Sequence, residues 1–330
     1  MKHANISLFV PHMGCPHQCS FCNQKTISGS VKELTVEDVT AVLSQAVSDG
    51  VNPKNTEIAF FGGSFTAIDR VYMVSLLEAT KPFIEKGLFS GIRISTRPDA
   101  IDSDVLEILK SYGVTAIELG AQSTDEEVLL LNHRGHTFGH IKEASHLIKQ
   151  YGFSLGLQMM TGLLGDTDEK SLKTCQDIIS LKPDTVRIYP TIVLEGTCLG
   201  EMFKKGEYEP QGLDSAVSLC ATLLEAFCEN NIKVIRLGLH SGGNVEEGFL
   251  AGPYHPAFGE LCESKIYLKR AINALSELNK NNQYTIYVNT TEISKMVGQK
   301  KMNINYLNSI GYKVTVKGKV GLEKYEVEIQ

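Results

Sequence analysis

Short β-branched or apolar runs alternate with amphipathic segments along most of this 330-residue chain, and that alternation narrows the folds open to it. Residues 6–10, 57–61, 91–96, 115–119, 154–160, 185–189 and 234–239 read as strands. Between them Val36, Val39, Val42, Leu43 and Ala46 share one helical face, started by Thr35 with Asp38 as a capping box. Val105, Leu106, Ile108 and Leu109 make a second such face, and residues 216–227 another. Strands joined through helices form a parallel sheet with right-handed crossovers, and about six or seven such units make an open or partial (βα) barrel. Active sites in such barrels gather at the C-terminal ends of the strands. The expected class is therefore α/β, and the 42% hydrophobic content suffices for one large domain and a small one.

The first strand leads directly into Gly14-Cys15-Pro16-His17-Gln18-Cys19-Ser20-Phe21-Cys22. This CxxxCxxC spacing lets three thiolates, the soft ligands that iron-sulfur clusters require, close on one face of a cube and leave the fourth iron open for chemistry. A structural zinc site stays open as an alternative, with His12 or His17 as the fourth ligand that zinc wants. Cys175, Cys198, Cys220, Cys228 and Cys262 are scattered as free thiols are in a reducing cytosol, so no disulfide framework is expected.

The later strand ends carry polar and glycine-rich runs. The second closes on Phe60-Phe61-Gly62-Gly63-Ser64-Phe65, where paired glycines permit positive φ and close approach of a ligand to the backbone. Ser95, Arg97 and Asp99 follow the third strand, and Glu118, Gln122 and Ser123 the fourth. Next come Asn132-His133-Arg134-Gly135-His136, the run from Gln158 through Met160 to Asp166, and Arg187-Ile188-Tyr189-Pro190-Thr191. Tyr189, Arg236 and His240 stand at or just beyond the ends of the sixth and seventh strands. Each alone is a turn, a cap or a buried side chain; together they converge on one mouth.

On these motifs the chain resembles the radical S-adenosylmethionine (SAM) enzymes. The resemblance implies a four-iron, four-sulfur cluster on Cys15, Cys19 and Cys22, with Phe21 as the aromatic residue before the third cysteine. It implies SAM as the second cofactor, its amino group at Gly62, Gly63 and Ser64, and its ribose and carboxylate among Ser95, Arg97, Glu118, Gln122 and Ser123, with Met160 beside it. An electron from a donor such as a flavodoxin or ferredoxin would then pass through the cluster and break a sulfur–carbon bond of SAM, giving methionine and a 5′-deoxyadenosyl radical. Tyr189, Arg236 and His240 would meet the substrate as catalytic residues.

The order of the elements, over approximately residues 5–240, is similar to the Elongator catalytic subunit family in particular. That family shows Glu-Leu-Gly-x-Gln-Ser, Asn-Arg-Gly-His, His-Met-Met-Pro-Gly-Leu-Pro-Gly and Lys-Ile-Tyr-Pro-Thr elements in the same sequence. The resemblance implies modification of a tRNA base, since those relatives place a carboxymethyl-type group on the wobble uridine using acetyl-coenzyme A. Two departures stand out. The cysteine loop is the compact form rather than the family's longer one, and nothing up to Gln330 resembles the acetyltransferase domain, so acetyl-coenzyme A is not expected. The runs 236–240 and 252–258 look like those of a smaller Elongator-like group loosely labelled with oxygen-independent coproporphyrinogen oxidases. Chemistry on a porphyrin-like or other small molecule therefore remains an alternative, as does a non-catalytic iron-sulfur RNA-binding protein.

Residues 1–280 are expected to form the partial barrel and residues 281–330 a small C-terminal α/β domain. A strand at 284–289, a helix at 291–297, a break at Gly298-Gln299-Lys300-Lys301, a helix at 303–310 and strands at 313–316 and 325–329 follow the order of a KH-like RNA-binding module. A lysine-rich solvated face on a small packing domain accounts for the same residues. The formal charge of −6 is uneven: seven lysines against four glutamates put +3 on residues 281–330 and leave −9 on residues 1–280. No stretch approaches the roughly 20 apolar residues of a membrane span, and the early strand leaves no room for a signal peptide, so the expected location is the cytoplasm.

Overall fold

The computed structural model describes residues 4–10, 18–23, 33–239, 243–280 and 282–330, so Cys15 and His240 lie outside the described residues. The strands are β1 (Ala4–Val10), β2 (Thr56–Gly62), β3 (Ile92–Thr96), β4 (Val114–Gln122), β5 (Ser154–Thr161), β6 (Thr185–Pro190), β7 (Val193–Leu194), β8 (Lys233–Leu237), β9 (Phe249–Ala251), β10 (Gln283–Asn289), β11 (Lys313–Lys319) and β12 (Glu328–Ile329). The helices are α1 (Val36–Ser48), α2 (Arg70–Glu85), α3 (Ser103–Ser111), α4 (Glu126–Leu131), α5 (Phe138–Gln150), α6 (Asp168–Ser180), α7 (Cys198–Lys204), α8 (Leu213–Glu229), α9 (Gly243–Glu247), α10 (Phe258–Leu275), α11 (Ile293–Val297) and α12 (Met302–Ser309).

Seven strands form one sheet in the order β1-β2-β3-β4-β5-β6-β8, and every neighbouring pair is parallel. β1 and β8 remain separate edges, so the sheet is an open half-barrel, the α/β partial (βα) barrel expected of the sequence. Helices cover its outer face. Thr35 Oγ1 accepts from the Asp38 N–H and the Asp38 carboxylate from the Thr35 N–H, both at 3.1 Å, which closes the box that starts α1. The opposite face of that helix buries Val39, Leu43 and Ala46. In α8, Ala216, Leu223 and Phe227 reach the same apolar core as Ile58 and Ile94 of the sheet.

The strands alternate with period two between this core and the hollow of the half-barrel. In β1, Leu8 and Val10 are buried in the core while Asn5, Ser7 and Phe9 border the hollow. Likewise Leu157 and Met159 of β5 pack outward and Gln158 and Met160 inward, and in β6 Val186 and Ile188 oppose Arg187 and Tyr189. A parallel sheet covered on both faces would carry apolar residues on both; here the inner face is polar, which marks it as a ligand surface.

At the C-terminal end β10 lies between β11, to which it is parallel, and β12, to which it is antiparallel. The elements of this tail follow the expected order, with Gly298 and the left-handed Lys300 and Lys301 between α11 and α12. Ile286, Val288, Met296 and Leu307 join the apolar core that also holds the barrel residues.

Candidate active site

A cavity of about 750 Å³ fills the hollow of the half-barrel, within the range of small-ligand pockets. Phe21, Cys22, Gly62, Ser95, Gln122, Met160, Tyr189 and Arg236 all border it. Cys19, Gly63, Ser64, Arg97, Glu118 and Ser123 are buried and do not line it. A second cavity of about 840 Å³, between α8, α10 and α12, shares no lining residue with the first.

The described part of the cysteine loop is held in place from two sides. The Cys22 N–H donates to the Cys19 carbonyl at 3.2 Å, turning the chain so that Cys22 borders the cavity. Between them Ser20 donates from its N–H to the Asn132 carbonyl, 3.3 Å, and from its hydroxyl to Asn132 Oδ1, 2.7 Å. The Leu199 N–H, at the start of α7, donates to the Ser20 carbonyl at 2.7 Å. Among the described residues no group of three His, Cys, Asp or Glu side chains is arranged to hold a metal; two of the three expected thiols, Cys19 and Cys22, are described.

Gly62 ends β2 at φ +109°, and a Cβ there would stand 2.4 Å from the Val10 carbonyl oxygen, so only glycine fits. The next amide, Gly63 N–H, donates to that same oxygen at 3.0 Å, which binds the ends of β1 and β2 together. Ser123 accepts from the Asp125 N–H at 3.1 Å and supports the turn into α4. Arg97 grips Asp99 with Nε and Nη2 at 2.8 and 3.0 Å and also donates to the Arg134 carbonyl. Burial works against the Asp99 charge, but the Arg97 fork outweighs it and holds the carboxyl below its usual range.

Gln122 is the strained point of the site. Its φ is +65°, and the β4–β5 register slips between Gly120 and Gln122. Its Oε1 is buried without a hydrogen-bond partner. A non-glycine residue in the left-handed region at a strand end, with an orphaned amide oxygen on a cavity wall, fits a ligand that brings its own N–H or O–H.

Deeper in the half-barrel a row of charged and polar side chains crosses five strands, β2 to β6. Glu57 of β2 accepts from Arg93 Nε of β3 at 2.8 Å, and Arg93 Nη1 donates to Glu118 of β4 at 3.2 Å. Glu118 also accepts from Gln158 at 2.9 Å and, through both oxygens, from Arg187 at 2.6 and 2.9 Å. The row is electrically balanced, and Arg187 faces the cavity with its guanidinium 5.4 Å from the Phe61 ring centroid. Arg236 lies beyond it, with Nε donating to the Gly238 carbonyl at 2.9 Å and no carboxylate within ion-pair range among the described residues. Burial holds the Arg236 guanidinium below its ordinary pKa, Tyr189 opposing and Arg187 adding to the shift. Burial also pushes the Tyr189 phenol up.

Sequence reasoning named the runs that begin at Gln158 and Arg187 without giving either residue a role, and passed over Asn5 and Ser7. Their signal is the polar member at every second position of strands whose other members are apolar, a pattern that becomes informative only once one face of the sheet is known to pack on helices and the other to line a hollow.

Residues 9–178 match the Radical SAM superfamily and residues 183–269 the Radical SAM C-terminal domain. The chain belongs to the radical SAM superfamily and is a radical SAM enzyme. Within it the chain is similar to the tRNA uridine(34) acetyltransferase of Dehalococcoides mccartyi, 25% identical over 254 residues, covering 66% of this chain and 55% of that protein. The Methanocaldococcus jannaschii protein of the same name is 36% identical over 199 residues, 54% and 37% of the two chains. Elongator complex protein 3 of Homo sapiens is 31% identical over 196 residues, 53% and 36%. The chain thus spans from about a third to just over half the length of these relatives. The fold superposes on archaeal Elp3 of Methanocaldococcus infernus with a TM-score of 0.65 at 22% identity, covering 82% of this chain and 64% of that one. No helix among the described residues is long and apolar enough to cross a membrane.

Proposed function

We propose that the chain modifies a base of tRNA by radical chemistry, with Cys15, Cys19 and Cys22 holding a four-iron, four-sulfur cluster and SAM seated in the half-barrel cavity. The observation that carries this reading is the cavity itself: Cys22 and Phe21 border one part of it, Gly62 and the strained Gln122 are exposed to it, and Tyr189 and Arg236 line it from the last strands. When bound, such a cluster would supply the electron for reductive cleavage of a sulfur–carbon bond of SAM, the source of a 5′-deoxyadenosyl radical.

The chain's own groups bind, orient and exclude water. Gly62 leaves room for a ligand at the edge of the cysteine loop, and the Gln122 amide oxygen accepts from it. Ser95 and Gln158 offer polar contacts along the floor. Arg236, Tyr189 and, outside the described residues, His240 meet the substrate. Glu118 and Arg97, buried behind the wall, orient Arg187 and Arg134 rather than touch the cofactor. Residues 281–330 would act as a KH-like module beside the barrel of residues 1–280, its exposed Lys300 and Lys301 meeting backbone phosphates. A flavodoxin or ferredoxin would supply the electron.

The names of the curated relatives support the tRNA reading. The charge of −9 on residues 1–280 favours the second reading, a small-molecule substrate. Anaerobic incubation with reductant, SAM and total tRNA, followed by nucleoside mass spectrometry, separates the two. A new modified nucleoside together with 5′-deoxyadenosine is expected. Release of 5′-deoxyadenosine with every nucleoside unchanged would turn the assignment to a small molecule.

A further inference from the structure

The second cavity, about 840 Å³ between α8, α10 and α12, takes no part in the proposed radical chemistry. It opens where the barrel meets the C-terminal tail, a common place for a ligand site. Val217 of α8 and Leu261 and Ile272 of α10 give it apolar walls, with the hydroxyls of Ser218 and Thr222 beside them. Met302 and Tyr306, one turn apart on α12 and 58% and 47% exposed, line the remaining side. An aromatic ring left half in water on such a wall has room for a flat partner against its face.

The charges around the groove favour an anion. Lys265 of α10 lines it, is exposed and has no ion pair among the described residues. Lys269, one turn on, shares Glu225 with Arg270 at 2.9 and 3.0 Å. Lys300 and Lys301, exposed and likewise without ion pairs among the described residues, stand between Gln299 and Met302, both of which line the groove. Asn303 fastens that turn to α10 through the Ser264 carbonyl and hydroxyl, so the lysines are held at the rim. The lining and the adjoining turn thus carry four lysines against Asp214 and Glu225, and Glu225 is already matched by Arg270.

We propose that this groove binds an unpaired nucleotide of tRNA, its base stacked on Tyr306 between the apolar walls and its phosphates on Lys265, Lys300 and Lys301. The inference rests on the tRNA reading above. An amphipathic helix of another protein would use the apolar walls and leave the lysines unmatched, whereas a flat base and a phosphate on one ligand use both. Stacking on an aromatic side chain accepts any base, so the groove holds the strand without selecting its sequence.

The test uses the full chain and two probes: total tRNA, and a single-stranded RNA of about eight nucleotides, a length such surfaces hold, carrying one 2-aminopurine whose fluorescence falls when the base stacks. Wild type, Tyr306→Ala, Tyr306→Phe, Lys265→Ala and the Lys300→Ala, Lys301→Ala pair are titrated across a salt series, and the sedimentation of each protein is measured. Wild type is expected to quench the probe. Tyr306→Ala should lose the quenching and about tenfold or more in affinity with its log-log salt slope unchanged, since stacking releases no counterions, and Tyr306→Phe should restore both. Lys265→Ala should lower the slope by about 1. A Tyr306→Ala protein that quenches and binds as wild type does overturns the inference. If the lysine pair then still weakens RNA binding, the tRNA reading stands and the inference alone falls. Wild type that binds neither the oligomer nor tRNA removes the tRNA reading and this inference with it. A dimer that Tyr306→Ala dissolves while RNA binding stays intact gives the groove to a second copy and likewise overturns the inference.

Discussion

Glu118 reaches from β4 across β5 to a two-pronged ion pair with Arg187 on β6, 2.6 and 2.9 Å long, and the strand it crosses carries Gly156 at the crossing point. Gly156 stands in register with Glu118 on one side and Thr185 on the other. A Cβ there would lie 2.8 Å from Glu118 Cγ and 3.1 Å from Thr185 Oγ1. The missing side chain therefore makes the long-range pair possible, and through it the orientation of Arg187 toward the cavity.

Gly156→Ala is accordingly expected to destabilise by about 1–3 kcal/mol through overpacking, even though its backbone suits any residue. Glu118→Gln should cost more, about 3–5 kcal/mol, because it leaves Arg93 and Arg187 facing each other without the shared charge between them. Urea unfolding of the two variants beside wild type measures both. Equal midpoints in all three would show that the row contributes no stability.

Arg236 and Tyr189 should separate cofactor chemistry from substrate chemistry. Arg236→Ala is expected to retain iron and substrate-independent release of 5′-deoxyadenosine while losing product by about tenfold or more, since the proposed function assigns it to the substrate rather than to the cofactor. Parallel chromatography of 5′-deoxyadenosine and of modified nucleoside reads the two. Loss of SAM cleavage in proportion to product would place Arg236 with the cofactor.

Acid should act on His136. Its Nε2 lies 3.1 Å from the Ala121 carbonyl, and burial, with the Arg134 charge, drives its pKa down to about 3. An unfolded histidine titrates near ~6.5, so between these values the unfolded chain takes up a proton that the folded chain refuses. The stability this neutral imidazole contributes is complete above about pH 6.5 and is lost as pH falls toward 3, at no more than about 1.4 kcal/mol per pH unit. His136→Gln keeps a donor for Ala121 and does not titrate. It should flatten the pH dependence of urea unfolding below about pH 6.5, and identical slopes in the two proteins would place the acid sensitivity elsewhere.

Lys300 and Lys301 offer the sharpest test of the tail. Both are exposed and left-handed in the turn before α12, while Asn303 ties that turn to α10 through the Ser264 carbonyl and hydroxyl at 3.0 Å each. Replacing both lysines by alanine is expected to weaken tRNA binding and lower the log-log salt slope by about 1 to 2, because fewer counterions are released. Filter binding across a salt series measures it. An unchanged affinity at low salt would leave the lysines as a solvated face.

The seven parallel strands, the Thr35–Asp38 cap and the glycine at the end of β2 were all legible in the sequence, because each rests on contacts within a few residues or on a two- or 3.6-residue period. The strand-end residues chosen from motifs divide into those that border one cavity, such as Gln122, Met160 and Tyr189, and those buried behind it, such as Arg97, Glu118 and Ser123. Which group a residue joins depends on the curl of the sheet and on a slip in the β4–β5 register, and neither leaves a local signal. Arg134 meets Cys19 across 115 residues, and Glu118 meets Arg187 across 69. Their partners are set by parallel register, by the room left at Gly156 and by the cost of leaving a buried charge unpaired, all of which exist only once the half-barrel has formed.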